Sequence, residues 1–228
     1  MPSQIKIISS MATKQILAEL ARKFENKSSL TVSIESVGGV DAAKRVLAGE
    51  AFDAVILASN AIDQLIASGK IVGKRFDLMK SGVAVVVKSG APRPDISTED
   101  GLKHAVSAAR SIGYSTGPSG VHLTNLFERW GIAEDIKSRI VQAPPGVPVG
   151  SLVAKGEIEL GFQQLSELIH LAGVDLLGPL PPSAQIITTF SAGVAATTEQ
   201  AQAVVGLLEF LASPDSAEVK RSSGMESA

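Results

Sequence analysis

Tyr114-Ser-Thr-Gly-Pro-Ser-Gly120 carries the clearest architectural signal of the chain. His122, Leu123, Leu126 and Phe127 follow it, with the apolar members at helical spacing. Small and hydroxyl residues running into such a pattern predict a loop that enters a helix N-terminus. Ser115, Thr116 and Ser119 are the candidate caps. The first turn of a helix leaves backbone N–H groups unpaired, and the helix dipole adds partial positive charge there. A loop of this kind favours a small anion. Ser111 to Tyr114, just ahead of it, reads as a strand.

The same unit recurs upstream. Ile5-Lys-Ile-Ile8 reads as a buried strand, Ser9-Ser10 as its loop, and Met11 to Glu25 as a helix with Ile16, Leu17, Leu20, Ala21 and Phe24 on one face. Leu30 to Glu35 alternates as a second strand. Gly38-Gly39 make the turn, Asp41 is the expected cap, and Ala42 to Ala48 is helical. Phe52 to Leu57 is a third strand, with Ser59 and Asn60 as expected caps for a helix from Ala61 to Ser68. Three strand–loop–helix units in succession predict the α/β class, with parallel strands and right-handed crossovers.

Asp77 to Val87 breaks the rhythm as one long β-type run, and a second α/β block follows. In it, Gly101 to Ala109, Val121 to Trp130, Val149 to Lys155 and Ser166 to Leu171 read as helices. Glu159 to Phe162 reads as a strand, and Pro144-Pro145-Gly146 and Gly178 to Pro182 read as turns. Phe190-Ser-Ala-Gly-Val-Ala-Ala196 then echoes Lys80-Ser-Gly-Val-Ala-Val-Val86. Both are read as chain crossings between lobes. The expected domains are residues 1–80 plus 192–228 around a continuous 82–190, with a ligand cleft between them. A helix from Glu199 to Ala212 and a last one after Ser213-Pro214-Asp215 complete the first lobe.

Composition removes several classes. With 21 basic and 23 acidic residues in 228, the chain lacks the basic excess that nucleic-acid binding requires. The absence of cysteine excludes thiolate metal sites, thiol catalysis and disulfides. His104, His122 and His170 are scattered, so no metal site and no cofactor are expected. No apolar run reaches membrane-spanning length, so no membrane insertion is expected. Met1-Pro-Ser-Gln-Ile-Lys lacks the charged and apolar regions of a leader. The expectation is a cytoplasmic protein, or a periplasmic one if a leader has been removed. There is no Gly-Lys-Ser/Thr phosphate loop and no nucleophile elbow.

The order of elements resembles the type 2 periplasmic binding proteins, most closely the molybdate-binding branch that serves ABC importers. The resemblance runs along nearly the whole chain. Pro118-Ser119-Gly120 matches that family's Pro-Ala-Gly, and Ala43-Lys44 to Gly49 with Phe52-Asp53 resembles its second-loop helix and third strand. Gly156 through Gly161-Phe162-Gln163-Gln164 resembles the stretch that places a Tyr on the anion. The resemblance implies a two-lobe fold, each lobe a mostly parallel sheet flanked by helices, joined by two crossover strands. It implies Ser9 or Ser10 as the first hydroxyl ligand and Gly39 where the family has a second serine. It implies the Ser119 amide, a further amide near Val149, and Gln164 in place of the Tyr. An ABC permease is implied as partner only if the chain is exported. Gly38-Gly39 leave room for a larger guest, and a glutamine amide both donates and accepts, which suits a carboxylate. The chain is also similar to aconitate isomerase, which implies the alternative of an enzyme for allylic proton transfer.

The expected ligand set is therefore Ser9, Ser10, Gly39, Thr116, Ser119, Val149 and Gln164, around a small anionic guest. For each hydroxyl the simpler role is a helix cap. The expected proton carriers of the enzyme alternative are Glu35, Lys80 and His122. Their simpler roles are a solvated strand end, a solvated lysine and a surface helix residue.

Overall fold

The computed structural model describes residues 4–144 and 146–228. Met1, on which the expectation about a leader rests, and Pro145 of the 144–146 turn lie outside the described residues. In chain order the first elements are β1 (Gln4–Ser10), α1 (Lys14–Glu25), β2 (Thr31–Val37), α2 (Gly39–Leu47), β3 (Ala54–Ala58), α3 (Ser59–Ala67) and β4 (Ile71–Lys88). Next come α4 (Glu99–Ala108), β5 (Ile112–Tyr114), α5 (Pro118–Arg129), α6 (Ala133–Ile136), β6 (Ile140–Gln142), α7 (Val149–Lys155), β7 (Leu160–Gln164), α8 (Leu165–Leu168) and β8 (Val174–Pro179). The chain ends with β9 (Ile187–Ala195), α9 (Ala201–Ala212), α10 (Ala217–Ser222) and β10 (Glu226–Ser227). It divides into two compact units, Met1–Ser81 with Thr188–Ala228, and Gly82–Ile187. β4 and β9 are the strands that pass from one unit into the other.

In the first unit β1 pairs in parallel with both β2 and β3, and β9 runs antiparallel to β3. β10 closes on β4 through Glu226 opposite Lys80. Helices cover both faces, and strand alternation sorts the core. Ile5, Ile7, Ala54 and Ile56 join the cluster built with Leu17, Leu20, Leu207 and Leu211. Ile8, Val55 and Leu57 join the opposite cluster with Val46, Ile62 and Leu65. Each of these strand residues is almost completely buried. Asp77 on β4 accepts a 2.7 Å hydrogen bond from the Ser191 hydroxyl on β9.

In the second unit β5 is parallel to β6 and β7, while β4 runs antiparallel to β7 and to β8. Val83, Val85 and Val87 face the cluster of Leu102, Leu123, Phe127 and Phe162. Ala84 and Val86 face Val149, Val153 and Leu168. Phe127 anchors the first of these, with ring centroids 6.2 Å from Phe162 and 6.3 Å from Tyr114. The side-chain Oε1 of Gln185 accepts from the backbone amides of Val83 at 3.0 Å and Ile186 at 2.8 Å.

Several local expectations are corrected. Residues 174–179 form a strand, not only a turn, because they pair along β4 from Ala84 to Lys88. β4 begins at Ile71, six residues before the expected Asp77. α3 starts at Ser59 with Ala58 as its N-cap, so neither Ser59 nor Asn60 caps it. α2 starts at Gly39, which leaves Asp41 inside its first turn rather than capping it. Among the described residues no helix is long and apolar enough to cross a membrane.

Candidate functional site

In the first unit the parallel strands β2, β1 and β3 all end on the same side, and a helix begins directly after each. Loops at the carboxyl ends of such strands are where α/β sheets bind their ligands. Ser9 is fully buried, and its hydroxyl lies 2.8 Å from that of Ser36, its register partner on β2. Ser10 caps the 3-10 turn Met11–Thr13, its hydroxyl accepting from the Ala12 amide at 3.2 Å. Gly39 is the first residue of α2, and a side chain built there would meet nothing within 4 Å. Ser9, Ser10 and Gly39 therefore share one edge of this unit.

Glu35 belongs to a different arrangement. Arg45 donates to it at 2.5 and 3.0 Å and also to Glu50. The guanidinium holds the exposed Glu35 carboxyl below the usual carboxylate range. That is the opposite of what a proton-abstracting base needs near neutral pH. Lys80 is exposed on β4, opposite Glu226.

In the second unit the loop after β5 wraps tightly over the start of α5. A Cβ on Gly120 would stand 1.9 Å from the Ser115 carbonyl oxygen, so only glycine fits. The cap differs from expectation. Gly117 is the N-cap, with no side-chain bond, and Pro118 takes the first helical position that proline prefers. Ser115 instead accepts from the Gly117 amide at 3.3 Å. Ser119 is buried in the first turn, and Thr116 is exposed on the loop. His122, His104 and His170 are all exposed.

β7 ends at the same side of this sheet as β5, because the two are parallel neighbours. Its last residues, Gln163 and Gln164, are both buried. The Gln163 carbonyl accepts from the Gly150 amide at 2.9 Å, next to Val149 at the start of α7. Its amide donates to Glu167 at 2.8 Å. Burial pushes the Glu167 carboxyl up to about 7, and the Gln163 hydrogen bond pulls weakly the other way. So the structure brings Thr116, Ser119, Val149 and Gln164 to one edge of the second unit.

Sequence reasoning passed over Glu167. The available signal was a Glu one helical turn beyond a strand-terminal Gln-Gln pair. Among the described residues no group of three or more His, Asp or Glu is placed to hold a metal ion.

Residues 5–226 match the family model described as bacterial extracellular solute-binding protein, and the chain belongs to that family. It is 36% identical over 231 residues to an aconitate isomerase from Pseudomonas sp, which covers 97% of this chain and 87% of that protein. Its fold is similar to the periplasmic molybdate-binding protein of Azotobacter vinelandii, at a TM-score of 0.80 and 20% identity, covering 97% and 98% of the two chains. It is also similar to the sulfate-binding protein SubI of Mycobacterium tuberculosis H37Rv, at a TM-score of 0.80 and 15% identity, covering 98% and 86%. The fold is thus the type 2 periplasmic-binding-protein fold.

Proposed function

We propose that the chain binds a small anion, a carboxylate or an oxyanion, on its strand-end loops. Ser9, Ser10 and Gly39 would be the contacts from the first unit. Thr116, Ser119, Val149 and Gln164 would be those from the second. The observation that carries this reading is Ser119, buried in the first turn of the twelve-residue helix α5, directly after a parallel strand. A helix start of that kind presents amide donors and partial positive charge to an anion. Charge-assisted hydrogen bonds to such donors are roughly twice as strong as neutral ones. Family membership supports the same reading.

The test is titration calorimetry of the full chain against di- and tricarboxylates, molybdate, sulfate and phosphate. Saturable heat from one of them, lost in Ser119→Pro, supports the reading. No heat from any of them removes it. An exported form would have an ABC permease as its partner, and fractionation of host cells reports whether export occurs.

A second reading is favoured by the 36% identical aconitate isomerase. The same loops would hold a small unsaturated polycarboxylate, and a side chain would carry a proton along its allylic carbons. Of the three expected carriers, Lys80 and His122 are exposed and, among the described residues, not placed in an ion pair, whereas Glu35 is engaged by Arg45. Following trans-aconitate by NMR at high protein concentration decides it. Appearance of the cis isomer supports catalysis, and an unchanged spectrum leaves binding alone.

A further inference from the structure

The Gln163 side chain at the end of β7 ties three elements together. By strand alternation it points away from the face shared by Leu160, Phe162 and Gln164, and toward α7 and α8. There its two amide atoms have different partners: Oε1 accepts from Gly150 on α7, and Nε2 donates to Glu167 on α8. This pairing admits only one orientation of the amide. The approach is close. A Cβ on Gly150 would stand 2.4 Å from Leu171 and 2.9 Å from Leu168, so the start of α7 sits directly on the α8 segment. Among the described residues Glu167 is placed in no ion pair, and it accepts from Gln163 at 2.8 Å. The other titratable groups on α7, β5, β8, the part of β4 after Ser81 and the residues just past α8 are Lys155, Tyr114, Asp175, Lys88 and His170. The upward displacement of Glu167 comes from burial and is opposed by the Gln163 hydrogen bond.

We infer that Glu167 is a positioning residue: through the amide of Gln163 it holds the end of β7 against α7, and so sets where the adjacent Gln164 presents its side chain to the ligand. The clamp itself is a property of the second unit. Its effect on affinity rests on the anion-binding reading above. Because the Glu167 carboxyl titrates near neutrality, the clamp is read out in the same range.

The first experiment needs no ligand. The side-chain amide resonances of Gln163, assigned with Gln163→Leu, are followed from pH 5.5 to 8.5 in the full chain. The expected result is a shift with a midpoint near 7 in the natural protein and none in Glu167→Gln, whose amide still accepts from Gln163. A titration that persists in Glu167→Gln overturns the inference. The second experiment is calorimetry with trans-aconitate. Glu167→Leu is expected to bind about tenfold more weakly, the loss of one partly buried hydrogen bond, and Glu167→Gln within about threefold of the natural protein. Equal affinity in Glu167→Leu, with the fold intact by circular dichroism, overturns it too. If Glu167→Leu fails to fold, the Glu167→Gln resonances decide. Failure of the natural protein to bind any anion counts against the binding reading, while the ligand-free titration judges the clamp on its own.

Discussion

Ser9 and Ser36 are register partners on β1 and β2, and their hydroxyls share a 2.8 Å hydrogen bond at the end of the strands. Ser9 has no exposed surface, and among the described residues its hydroxyl has one further hydrogen bond, to the Ser10 carbonyl, long at 3.5 Å. Ser36→Ala therefore leaves a buried hydroxyl poorly satisfied. The expected cost is about 1–2 kcal/mol. Ser9→Ala should cost a similar amount, and the double variant should cost less than the sum, since both remove one shared bond. Urea unfolding of all four proteins measures this, and strict additivity would count against a shared bond.

Gly120→Ala is expected to be far more damaging than its small volume suggests. The added methyl would collide with the Ser115 carbonyl, which is backbone and cannot rotate away. Either the loop lifts or α5 shifts, at about 1–3 kcal/mol or more for overpacking. The loop carrying Thr116 and Ser119 moves in both cases. Anion affinity should therefore fall along with the melting temperature, and an unchanged affinity would show that this loop is not part of the binding face.

Glu35→Gln should leave any turnover of trans-aconitate within about twofold of the natural protein, since an exposed pair contributes little. Arg45 holds Glu35 charged, which is why it is a poor proton acceptor. A loss of a hundredfold or more in an NMR turnover assay would restore Glu35 as the base.

Lys220 is fully buried on α10, and its Nζ has no hydrogen-bond partner among the described residues. Burial pulls its pKa from 10.5 down to about 8. The unfolded chain thus binds more protons than the native one between these two values, so stability rises with pH across that window. Below about 8 the buried ammonium is charged and its cost is fully present. Lys220→Met should raise stability at pH 7 by about 1–3 kcal/mol, as replacement of buried charge by an apolar residue often does. The gain should shrink as the pH approaches 10. Thermal melts of both proteins at pH 7 and pH 10 test the sign. A gain that grows with pH would contradict it.

Much of the architecture was legible from local pattern. β1, β2 and β3 were readable because Ile5 to Ile8, Leu30 to Glu35 and Phe52 to Leu57 carry apolar spacing bounded by Ser, Gly and Asn. The helix after Gly120 was readable for the same reason. β8 was not, because Val174-Asp-Leu-Leu-Gly-Pro179 has a turn-like end and becomes a strand by pairing with β4. Expected caps differ from the observed ones by one to three residues, since a cap depends on where the backbone leaves the strand and not on which hydroxyl is nearest in sequence.

The α/β class, the succession of strand–loop–helix units and the donor-rich loops follow from hydrophobic period and turn chemistry within short windows of the chain. The fate of the charged and polar groups depends on the folded arrangement. It ties Glu35 to Arg45, pairs Ser9 with Ser36, joins Glu167 through Gln163 to Gly150, and buries the Lys220 ammonium without a hydrogen-bond partner among the described residues. The reason is physical: hydrogen bonding and desolvation act between residues that are distant along the chain, and their strength depends on a burial that no local pattern encodes.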